Sequence, residues 1–440
     1  MKKTYLGIAF LLISISFYGQ DILSKEKAVT LTLENNYDIR VVKNNLETAK
    51  NNKGIYNSGY LPTIIANAGA NYSNNDTDSE FKNGNINSVT GAESKTYNAS
   101  IGLNYTIFNG FNRKYTFKRL KENYNLTELQ ARQVIENTLT TLFLAYYEVA
   151  RLTENEATQK ATLQISKKRL QRAEYNFEYG QNTKLAVLNA EVDVNNDSIT
   201  YIAVKRELAN SKRDLNIVLG RKVNTPVKVN TDVTYAIDLS LSTILEKANN
   251  NNAILLQANK NIKLRALDVK LRKSGWMPNV SLTSSYAWTK SNNDAVNDFS
   301  PISNTRKGVN AGLNLSWNIF DGGQTKTNVT NAKIALETQE IQKLQQEELL
   351  EKNVTNAWET YKNALFSLQV QEKNVITTQL NFKRTNERYK LGQITSIDFR
   401  QAQVNLINAA LSVSNAKYTA KNAELQLLKL AGLLLENKNF

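Results

Sequence analysis

The chain has 440 residues, a formal net charge of +15 at pH 7, and neither cysteine nor histidine. This composition excludes disulfides, metal sites built on thiolate or imidazole, catalytic pairs of histidine with serine or cysteine, and a lipid anchor on an N-terminal cysteine. The basic residues are spread along the predicted helices, so the charge does not indicate a nucleic-acid partner.

Residues 1–19 have the layout of a secretory signal peptide. Lys2 and Lys3 precede an apolar run from Tyr5 to Tyr18, which Gly19 closes. The run is too short to span a bilayer, and no apolar stretch of about 18 residues follows it. We therefore expect an exported protein without a transmembrane helix.

The rest of the chain contains one series of motifs twice, which predicts two tandem repeats, 20–226 and 227–440. The matching pairs are SGYLP at 58–62 with SGWMP at 274–278, IFNG at 107–110 with IFDGG at 319–323, and EYGQNT at 178–183 with KLGQIT at 390–395. Each repeat is predicted to run helix, strand, loop, strand, very long helix, tight turn and helix.

Glycine and proline define the bounds of these elements, because they interrupt regular structure. The first helix is predicted at about Lys25–Asn57. The predicted strands are 62–73, 97–108, 278–289 and 308–320, and the predicted helices that follow them are 113–178, 184–219, 324–390 and 396–431. The two long helices contain no glycine or proline, and helices of about 65 residues would each reach about 100 Å.

Apolar residues recur every seven positions along the long helices, as in a coiled coil. In the second repeat they are Val354, Tyr361, Leu368, Val375, Phe382 and Tyr389. In the first repeat they are Leu142, Val149, Leu163, Leu170 and Phe177, and the polar Glu156 is the exception in that series. An antiparallel coiled-coil hairpin explains these residues, so no chemistry is assigned to them.

Apolar and small polar side chains alternate along the four predicted strands. Their length of about 10 residues, the uncharged polar face, and aromatic residues near the strand ends favour a membrane β-barrel over a soluble hairpin. The aromatic residues predicted at the membrane interface are Tyr72, Tyr97, Trp288 and Trp317. The connecting segments 73–96 and 289–307, rich in Asn, Asp, Ser and Gly, are predicted to be solvated outward loops.

A four-stranded sheet has two unpaired edges, which cannot face lipid. The strands must therefore close with strands of other chains. Two chains would supply eight strands and three would supply twelve, and the residues alone do not decide between them.

The ordered set of motifs resembles the TolC-type outer-membrane efflux family, the outer membrane factors. The resemblance covers about Asp21 to Leu435 and rests on the duplicated order of elements, the SGYLP and SGWMP junctions, and the IFNG and IFDGG junctions. The stretch RYKLGQITSIDFRQAQ at 388–403 is similar to the family's periplasmic hairpin tip.

The resemblance implies a mixed α and β membrane protein. It would be a homotrimer with a twelve-stranded β-barrel in the outer membrane, four strands per chain, continued by a long α-helical coiled-coil barrel in the periplasm. It implies a passive channel of a tripartite efflux or type I secretion system. The implied partners are a periplasmic adaptor (membrane fusion) protein, an inner-membrane pump of the RND or ABC type, and outer-membrane lipid; no cofactor is implied.

The resemblance also assigns roles at the predicted turns. Gly180–Gln181 and Gly392–Gln393 are expected to be the tips that contact the adaptor. Asp398 and Gln401 occupy positions of the family's periplasmic gate, where three copies of Asp398 would form a ring that attracts cations. Gln401 stands where a second acidic residue is common, and Ala186 is the first-repeat counterpart of Asp398.

Two other functional classes remain to be weighed against a channel. An exported structural or adhesive coiled-coil protein would need neither a lipid-facing stripe nor contacts at the tips. An enzyme is not indicated, because the sequence offers no paired carboxylates in a pocket-forming context.

Overall fold

The computed structural model describes residues 22–236, 240–294 and 301–435, so the predicted signal peptide lies outside the described residues. The helices are α1 (Lys25–Asn35), α2 (Tyr37–Asn52), α3 (Asn112–Glu178), α4 (Lys184–Val218), α5 (Leu241–Asn251), α6 (Ala253–Lys273), α7 (Gln324–Lys390) and α8 (Ser396–Leu430). The strands are β1 (Thr63–Glu80), β2 (Ile86–Asn109), β3 (Asn279–Asn293) and β4 (Ser303–Ser316). The predicted combination of helices with four strands is confirmed.

The chain folds into two compact units. The first, called the helical unit, comprises the described residues before Asn44, the described residues of Ala131–Ala253, and those from Glu348 onward. The second, called the strand unit, comprises Asn44–Gln130 and the described residues of Ile254–Glu347.

The long helices follow the absence of helix breakers in the sequence. Helices α3 and α7 have 67 residues each, and α4 and α8 have 35 each. All four begin and end within one residue of the predicted bounds. Positive-φ glycines separate the members of each pair, so local conformational preference is enough to place these ends.

Tyrosine side chains dominate the core of the helical unit. Tyr146, Tyr147 and Tyr418 are buried and pack ring against ring, with centroids 5.7 and 6.0 Å apart. The Tyr146 hydroxyl donates to the carbonyl oxygen of Leu23 at 2.7 Å and accepts from the backbone N–H of Asn230 at 3.0 Å. A buried phenol needs such partners, and here they attach two extended segments to α3.

The segment 227–236, at the start of the second predicted repeat, is held by side chains of α7 and α8. The hydroxyls of Tyr418 and Tyr361 and the ammonium group of Lys421 donate to its backbone carbonyls at 3.1, 2.7 and 2.9 Å. Lys421 also forms an ion pair with Glu424 at 3.1 Å, and both side chains are only 1% exposed. Because the pair is hydrogen-bonded to the segment as well, the cost of burying its charges is partly offset.

The prediction of one helix at Lys25–Asn57 is wrong, because the helix breaks at Asn36. Asn36 has extended backbone angles, φ −61° and ψ 134°, and its side-chain oxygen accepts from the N–H of Ile39 at 3.2 Å. Its amide nitrogen donates to the carbonyl of Val218, at the end of α4, at 2.9 Å. Asn252 breaks the second repeat in the same way and donates to the carbonyl of Leu430 at 2.9 Å. Hydrogen bonding to a helix end distant in sequence therefore overrides helix propensity.

The strands form one antiparallel sheet in the order β1-β2-β3-β4. Each strand pairs with its sequence neighbour, and the register is continuous apart from shifts near Asn75 and near Thr106. Every residue of β1 and of β4 is exposed, whereas most residues of β2 and β3 are partly covered. The two outer strands therefore present their free edges and both faces, within the described chain.

The first hairpin is longer than predicted. Segment 73–96, predicted to be a loop, mostly continues β1 and β2, which remain paired as far as Glu80 opposite Ile86. The chain reverses only at 81–85, where Gly84 has φ +79° and donates its N–H to the carbonyl of Phe81 at 2.8 Å. Asn, Ser and Thr in this segment indicated a loop, yet alternation and backbone pairing are sufficient for a hairpin.

The last strand is displaced from its predicted bounds of 308–320. It begins five residues earlier and ends at Ser316, which pairs with Asn279. The neighbouring strand cannot continue the pairing, because Pro278 lacks an N–H and a 3-10 turn, Ser274–Trp276, precedes it. Trp317 instead donates its indole N–H to the carbonyl of Trp276 at 3.1 Å. β3 extends four residues past its predicted end, to Asn293.

Candidate functional site

The two tight turns between the long helices and their return helices share one backbone geometry. In the first, the N–H groups of Gly180 and Gln181 donate to the carbonyls of Phe177 and Asn176 at 3.0 and 2.7 Å. In the second, the corresponding bonds, from Gly392 and Gln393 to Tyr389 and Arg388, measure 3.1 and 2.9 Å. This pair of bonds is the Schellman motif, which ends a helix with a left-handed residue.

Glycine is required at both turns by backbone angle alone. Gly180 has φ +70° and Gly392 has φ +72°, and no atom lies within 4 Å of where a Cβ would stand. Gln181 and Gln393 are exposed beside them. The four residues predicted to form the tips therefore lie at open, well-defined turns.

Asp398 and Gln401, the predicted gate residues, lie in the first turns of α8 and are exposed. The Asp398 carboxylate accepts from the backbone N–H and from the hydroxyl of Thr395 at 3.2 and 2.7 Å, which completes a capping box. Gln401 donates to the side-chain oxygen of Asn405 at 3.0 Å. Within one chain, Asp398 thus has a helix-capping role that the acid–dipole attraction also favours.

A buried ring anchors the start of α8 beside these exposed polar groups. Phe399 is 3% exposed and packs against Tyr389 and Phe382 of α7, with centroids 4.7 and 5.5 Å apart. Because Phe399 adjoins Asp398 in the helix, its packing fixes the direction in which the carboxylate is presented.

A cluster of charged side chains, absent from the sequence-based expectations, joins α8 to α3 and α4. Arg400 binds the Asp197 carboxylate with two bonds of 2.9 and 2.8 Å, and Ser166 donates to the same carboxylate at 2.5 Å. Arg169 pairs with Asp193, which lies one helical turn before Asp197 and is also 3.4 Å from Arg400. The two arginines balance the two aspartates, so the cluster is an electrically neutral lock between helices.

Part of this cluster is buried, so its charges are shielded from water. Arg169 is 4% exposed, and its Nε and Nη1 atoms find no protein partner among the described residues. Burial, and then the nearby charge of Arg400, lower the pKa of Arg169, although a guanidinium stays protonated in proteins. The sequence signal for this cluster was the pair of aspartates at i and i+4 on α4. Because arginines neutralise both carboxylates, the pair offers no free acid or base.

The aromatic residues predicted for the membrane interface are not all at strand ends. Tyr72 and Tyr97 lie within the extended hairpin, opposite Lys95 and Ala70. Trp288 lies inside β3, opposite Ala99, and Trp317 follows the last residue of β4. Only Trp317 therefore lies next to a strand end, because the other strands continue further than predicted.

The apolar face of the sheet is uncovered in the described chain. Val309, Leu313 and Leu315 of β4 are 72, 67 and 65% exposed, and Ile101 of β2 is 59% exposed. Large apolar side chains exposed along one face are uncommon on soluble monomers and are typical of surfaces that bind protein or membrane.

The helices of the described chain include no candidate membrane span, because none of them is apolar enough over sufficient length. In residues 22–236, 240–294 and 301–435, acidic side chains do not gather in a group of three or more that could hold a metal ion.

Comparison with known families identifies one match. The model of the family described as "Outer membrane efflux protein" matches residues 28–221 and 244–433, which together make up most of the chain. The match comes in two stretches, and each contains one of the two tight turns.

Curated proteins give a consistent picture. The outer membrane protein TolC of Vibrio cholerae is 24% identical over 298 residues, covering 66% of this chain and 67% of that protein. The outer membrane efflux protein BepC of Brucella suis is 21% identical over 339 residues, covering 77% of this chain and 72% of that protein.

Solved structures with the same fold include the CmeC outer membrane channel of Campylobacter jejuni. Its TM-score is 0.78 at 18% identity, covering 93% of this chain and 86% of that one. The open state of the MtrE outer membrane channel of Neisseria gonorrhoeae has a TM-score of 0.72 at 17% identity, covering 93% of this chain and 89% of that one. At these identities the likeness establishes the fold.

Proposed function

Because the chain belongs to the outer membrane efflux protein family, we infer that it forms an outer-membrane channel through which an export system releases its substrates. The sheet crosses the outer membrane, and the long helices extend into the periplasm. Substrates pass through the lumen without chemical change. The system is a tripartite efflux or type I secretion assembly.

The observation that carries this proposal is the pair of bare sheet edges beside an exposed apolar face. In lipid, each unpaired backbone N–H and carbonyl costs several kcal/mol, so an open four-stranded sheet is unstable there. Pairing β4 of one chain with β1 of the next removes both edges. Three chains give a closed twelve-stranded barrel, in agreement with the trimer that the family resemblance implies.

The alternation of side chains supports the direction of the two faces. The apolar residues of β4, such as Leu313 and Leu315, face lipid, and Asn314 and Ser316, between them, face a water-filled lumen. The duplicated order of elements, and the two stretches matched by the family, support the proposal that each chain consists of two tandem repeats.

The two tight turns are the proposed contacts with a periplasmic adaptor protein, which couples the channel to an inner-membrane pump of the RND or ABC type. Gly180 and Gly392 shape the turns, and Gln181 and Gln393 offer exposed amide groups to the partner. Asp398 and Gln401 are the proposed constriction, where a ring of Asp398 carboxylates would favour cations. Exchange of Asp398 for Asn should lower the cation preference of single channels in planar bilayers.

The barrel can be tested by crosslinking, because the chain has no native cysteine. Cysteines at Asn67 or Gly69 on β1, each combined with Gly312→Cys on β4, should join different copies into a ladder that stops at three chains. The matched control is Ser100→Cys with Ala287→Cys, which are paired residues of β2 and β3 in one chain. That pair should form an internal crosslink and keep the mass of a monomer.

Two results would contradict the proposal. A purified protein that stays monomeric and soluble without detergent cannot be a membrane barrel. A series of crosslinked products that ends at two chains would support an eight-stranded barrel and contradict the trimer.

A further inference from the structure

The strand unit carries a concentration of basic residues that the sequence alone did not reveal, because it comes from two segments far apart in the chain. They are the start of α3, 113–122, and the end of α6, 260–273. Together these segments contain eleven basic and two acidic residues. The expectation that the basic charge is evenly spread is therefore wrong at this place.

The two acidic residues are already neutralised. Glu122 pairs with Lys260 at 3.1 Å, and Asp268 pairs with Arg119 at 2.8 Å. Burial opposes ionisation of Glu122, but hydrogen bonds from Lys260 and Asn125 outweigh it and lower the pKa of the carboxyl. Each acidic group therefore already has a basic partner, and the nearby charge of Lys263 also helps to lower the pKa of Glu122.

Four exposed lysines line a cleft of about 440 Å³ between these helices. They are Lys118, Lys121, Lys263 and Lys270, and none forms an ion pair within the part of the chain that the structure describes. Leu267, which is buried, contributes to the apolar lining of the cleft. Glu122, which pairs with Lys260, also lines the cleft. The four lysines therefore leave a local excess of positive charge that attracts an anion.

A series of cation–π and ring contacts, here called the ladder, connects this cleft to the apolar face of the sheet. Arg113 lies 5.6 Å from the ring of Tyr105, a residue of the apolar face of β2, and 5.1 Å from the ring of Tyr60. Tyr60 packs edge-on against Phe117 at 6.2 Å, and Lys121 lies 4.3 Å over Phe117.

The spacing along α3 shows that the ladder lies on the side of the helix that continues the apolar face of the sheet. Arg113, Phe117 and Lys121 are at i, i+4 and i+8, so they share one side of the helix. Lys121 therefore lies on the side that continues the apolar face of β2, opposite to the polar face that would line a lumen.

The cleft is also close to the ends of the strands. Lys118 and Lys121 are six and nine residues after Asn112, the first residue of α3, which corresponds to about 9 and 14 Å along the helix. β2 ends three residues before α3 begins. The long, flexible side chain of a lysine can bring its charge towards a membrane surface at the strand ends. Neighbouring aromatic rings are typical of that interface.

We propose that the cleft of Lys118, Lys121, Lys263 and Lys270 binds phosphate headgroups of anionic phospholipids in the periplasmic leaflet of the outer membrane. This inference rests on the proposed placement of the sheet in that membrane. Headgroup phosphates match the cleft in charge, and the acyl chains of a bound lipid would lie along the apolar face that the ladder reaches. The bound lipid would hold the chain at a fixed depth in the bilayer.

The test uses the full mature chain in a neutral detergent, titrated with phosphatidylglycerol and followed by native mass spectrometry. Each lysine near an anionic surface contributes about fivefold to binding. The variant Lys118→Gln/Lys121→Gln/Lys263→Gln/Lys270→Gln should lose at least about tenfold in affinity for the tightest-bound lipid, allowing for non-additivity. Phosphatidylcholine, which has no net charge, should bind both proteins equally weakly.

The matched control removes four exposed lysines of α7 that form no ion pair among the described residues. They are Lys333, Lys352, Lys373 and Lys383. Their exchange for Gln changes the net charge equally and should leave phosphatidylglycerol binding within about twofold, since only the cleft concentrates charge.

Four results would overturn the proposal, and the first three concern lipid binding. They are unchanged phosphatidylglycerol binding by the cleft variant, an equal loss in the control variant, and equal competition by soluble glycerol 3-phosphate, which would indicate a site for free anions. The fourth is altered ion selectivity of single channels with lipid binding unchanged, because that would place the cleft in the lumen.

Oligomeric mass and detergent dependence are measured on the same samples. A soluble monomer would refute the proposed channel. An assembly that requires detergent but shows unchanged lipid binding would refute only the proposed lipid site in the cleft.

Discussion

The helical unit uses the same glycine turn in two kinds of surroundings, before and after its return helices. Gly180 and Gly392 precede α4 and α8, and Gly220 and Gly432 follow them. All four have φ between +68° and +72°, and in each the two Schellman hydrogen bonds are made. The backbone requirement is therefore identical at the four positions.

The surroundings differ completely. A Cβ on Gly220 would stand 2.4 Å from the carbonyl oxygen of Asn35, and one on Gly432 would stand 2.5 Å from that of Asn251, whereas the other two glycines have open space. The close approach occurs where Asn36 and Asn252 donate to the ends of α4 and α8. One motif thus serves as a packed joint after the return helices and as an open surface before them, which leaves the open pair available to a partner.

The largest expected effect is at the packed glycines. Gly220→Ala and Gly432→Ala should each lower the free energy of unfolding by about 3 kcal/mol or more, because left-handed strain adds to overpacking against a backbone carbonyl. Thermal unfolding in detergent, followed by circular dichroism, measures this. Values equal to those of the open-turn variants would show that the close approach has no energetic weight.

The charged lock should rank second. Arg400→Met leaves Asp197 buried with only Ser166 as a partner, and we expect a loss of about 2 kcal/mol, reduced from the fully buried case because Arg400 is partly exposed. Arg384→Met, an exposed arginine of α7 without an ion pair among the described residues, is the control and should change stability by less than about 0.5 kcal/mol. Similar losses of stability in both variants would show that the effect comes from the change in net charge and not from the loss of the Arg400 contacts.

The open glycines should be less sensitive. Gly180→Ala and Gly392→Ala should each cost about 1–2 kcal/mol, since only the backbone angle is strained. Asn visits the left-handed region more easily than Ala, so Gly180→Asn and Gly392→Asn should recover part of the loss. If Asn and Ala are equivalent in thermal unfolding, the turn does not keep its left-handed angle in solution.

The smallest effect on stability should come from the exposed amides. Gln181→Ala with Gln393→Ala should change the free energy of unfolding by less than about 0.5 kcal/mol, yet weaken crosslinking to the proposed adaptor protein and reduce export in cells. Gln342→Ala with Gln345→Ala, two exposed residues of α7, is the control. Full export by the Gln181 and Gln393 double variant would remove these residues from the adaptor interface.

The two long helices and their return helices could be predicted closely because local signals decide them. Heptad residues Val354, Tyr361 and Leu368 are indeed buried, and left-handed glycines end α3 and α7. Burial weakens towards the turn, where Phe177 is 41% exposed, so the heptad predicts the helix but not how well each position is covered in one chain.

The features that were missed depend on contacts between distant parts of the chain. The break at Asn36 depends on a carbonyl 182 residues away, and Arg400 meets Asp197 across 203 residues. The pattern of single residues along the sequence does not show which distant residues form hydrogen bonds with one another. It also gives no reason to expect polar residues at buried positions. The strand bounds failed for another reason: Asn, Ser and Thr suit a loop and an exposed paired strand equally well.

The bare edges of the sheet also bear on how the molecule is made. The edge strands β1 and β4 differ, so in the proposed barrel copies join head to tail. The same addition of copies produces a ring if the sheet curves enough and an open filament if it does not. In that barrel, the twist between neighbouring strands sets the number of subunits. It also follows that a copy with one damaged edge would stop an otherwise sound assembly, so a minority of faulty chains would inactivate a majority of intact ones.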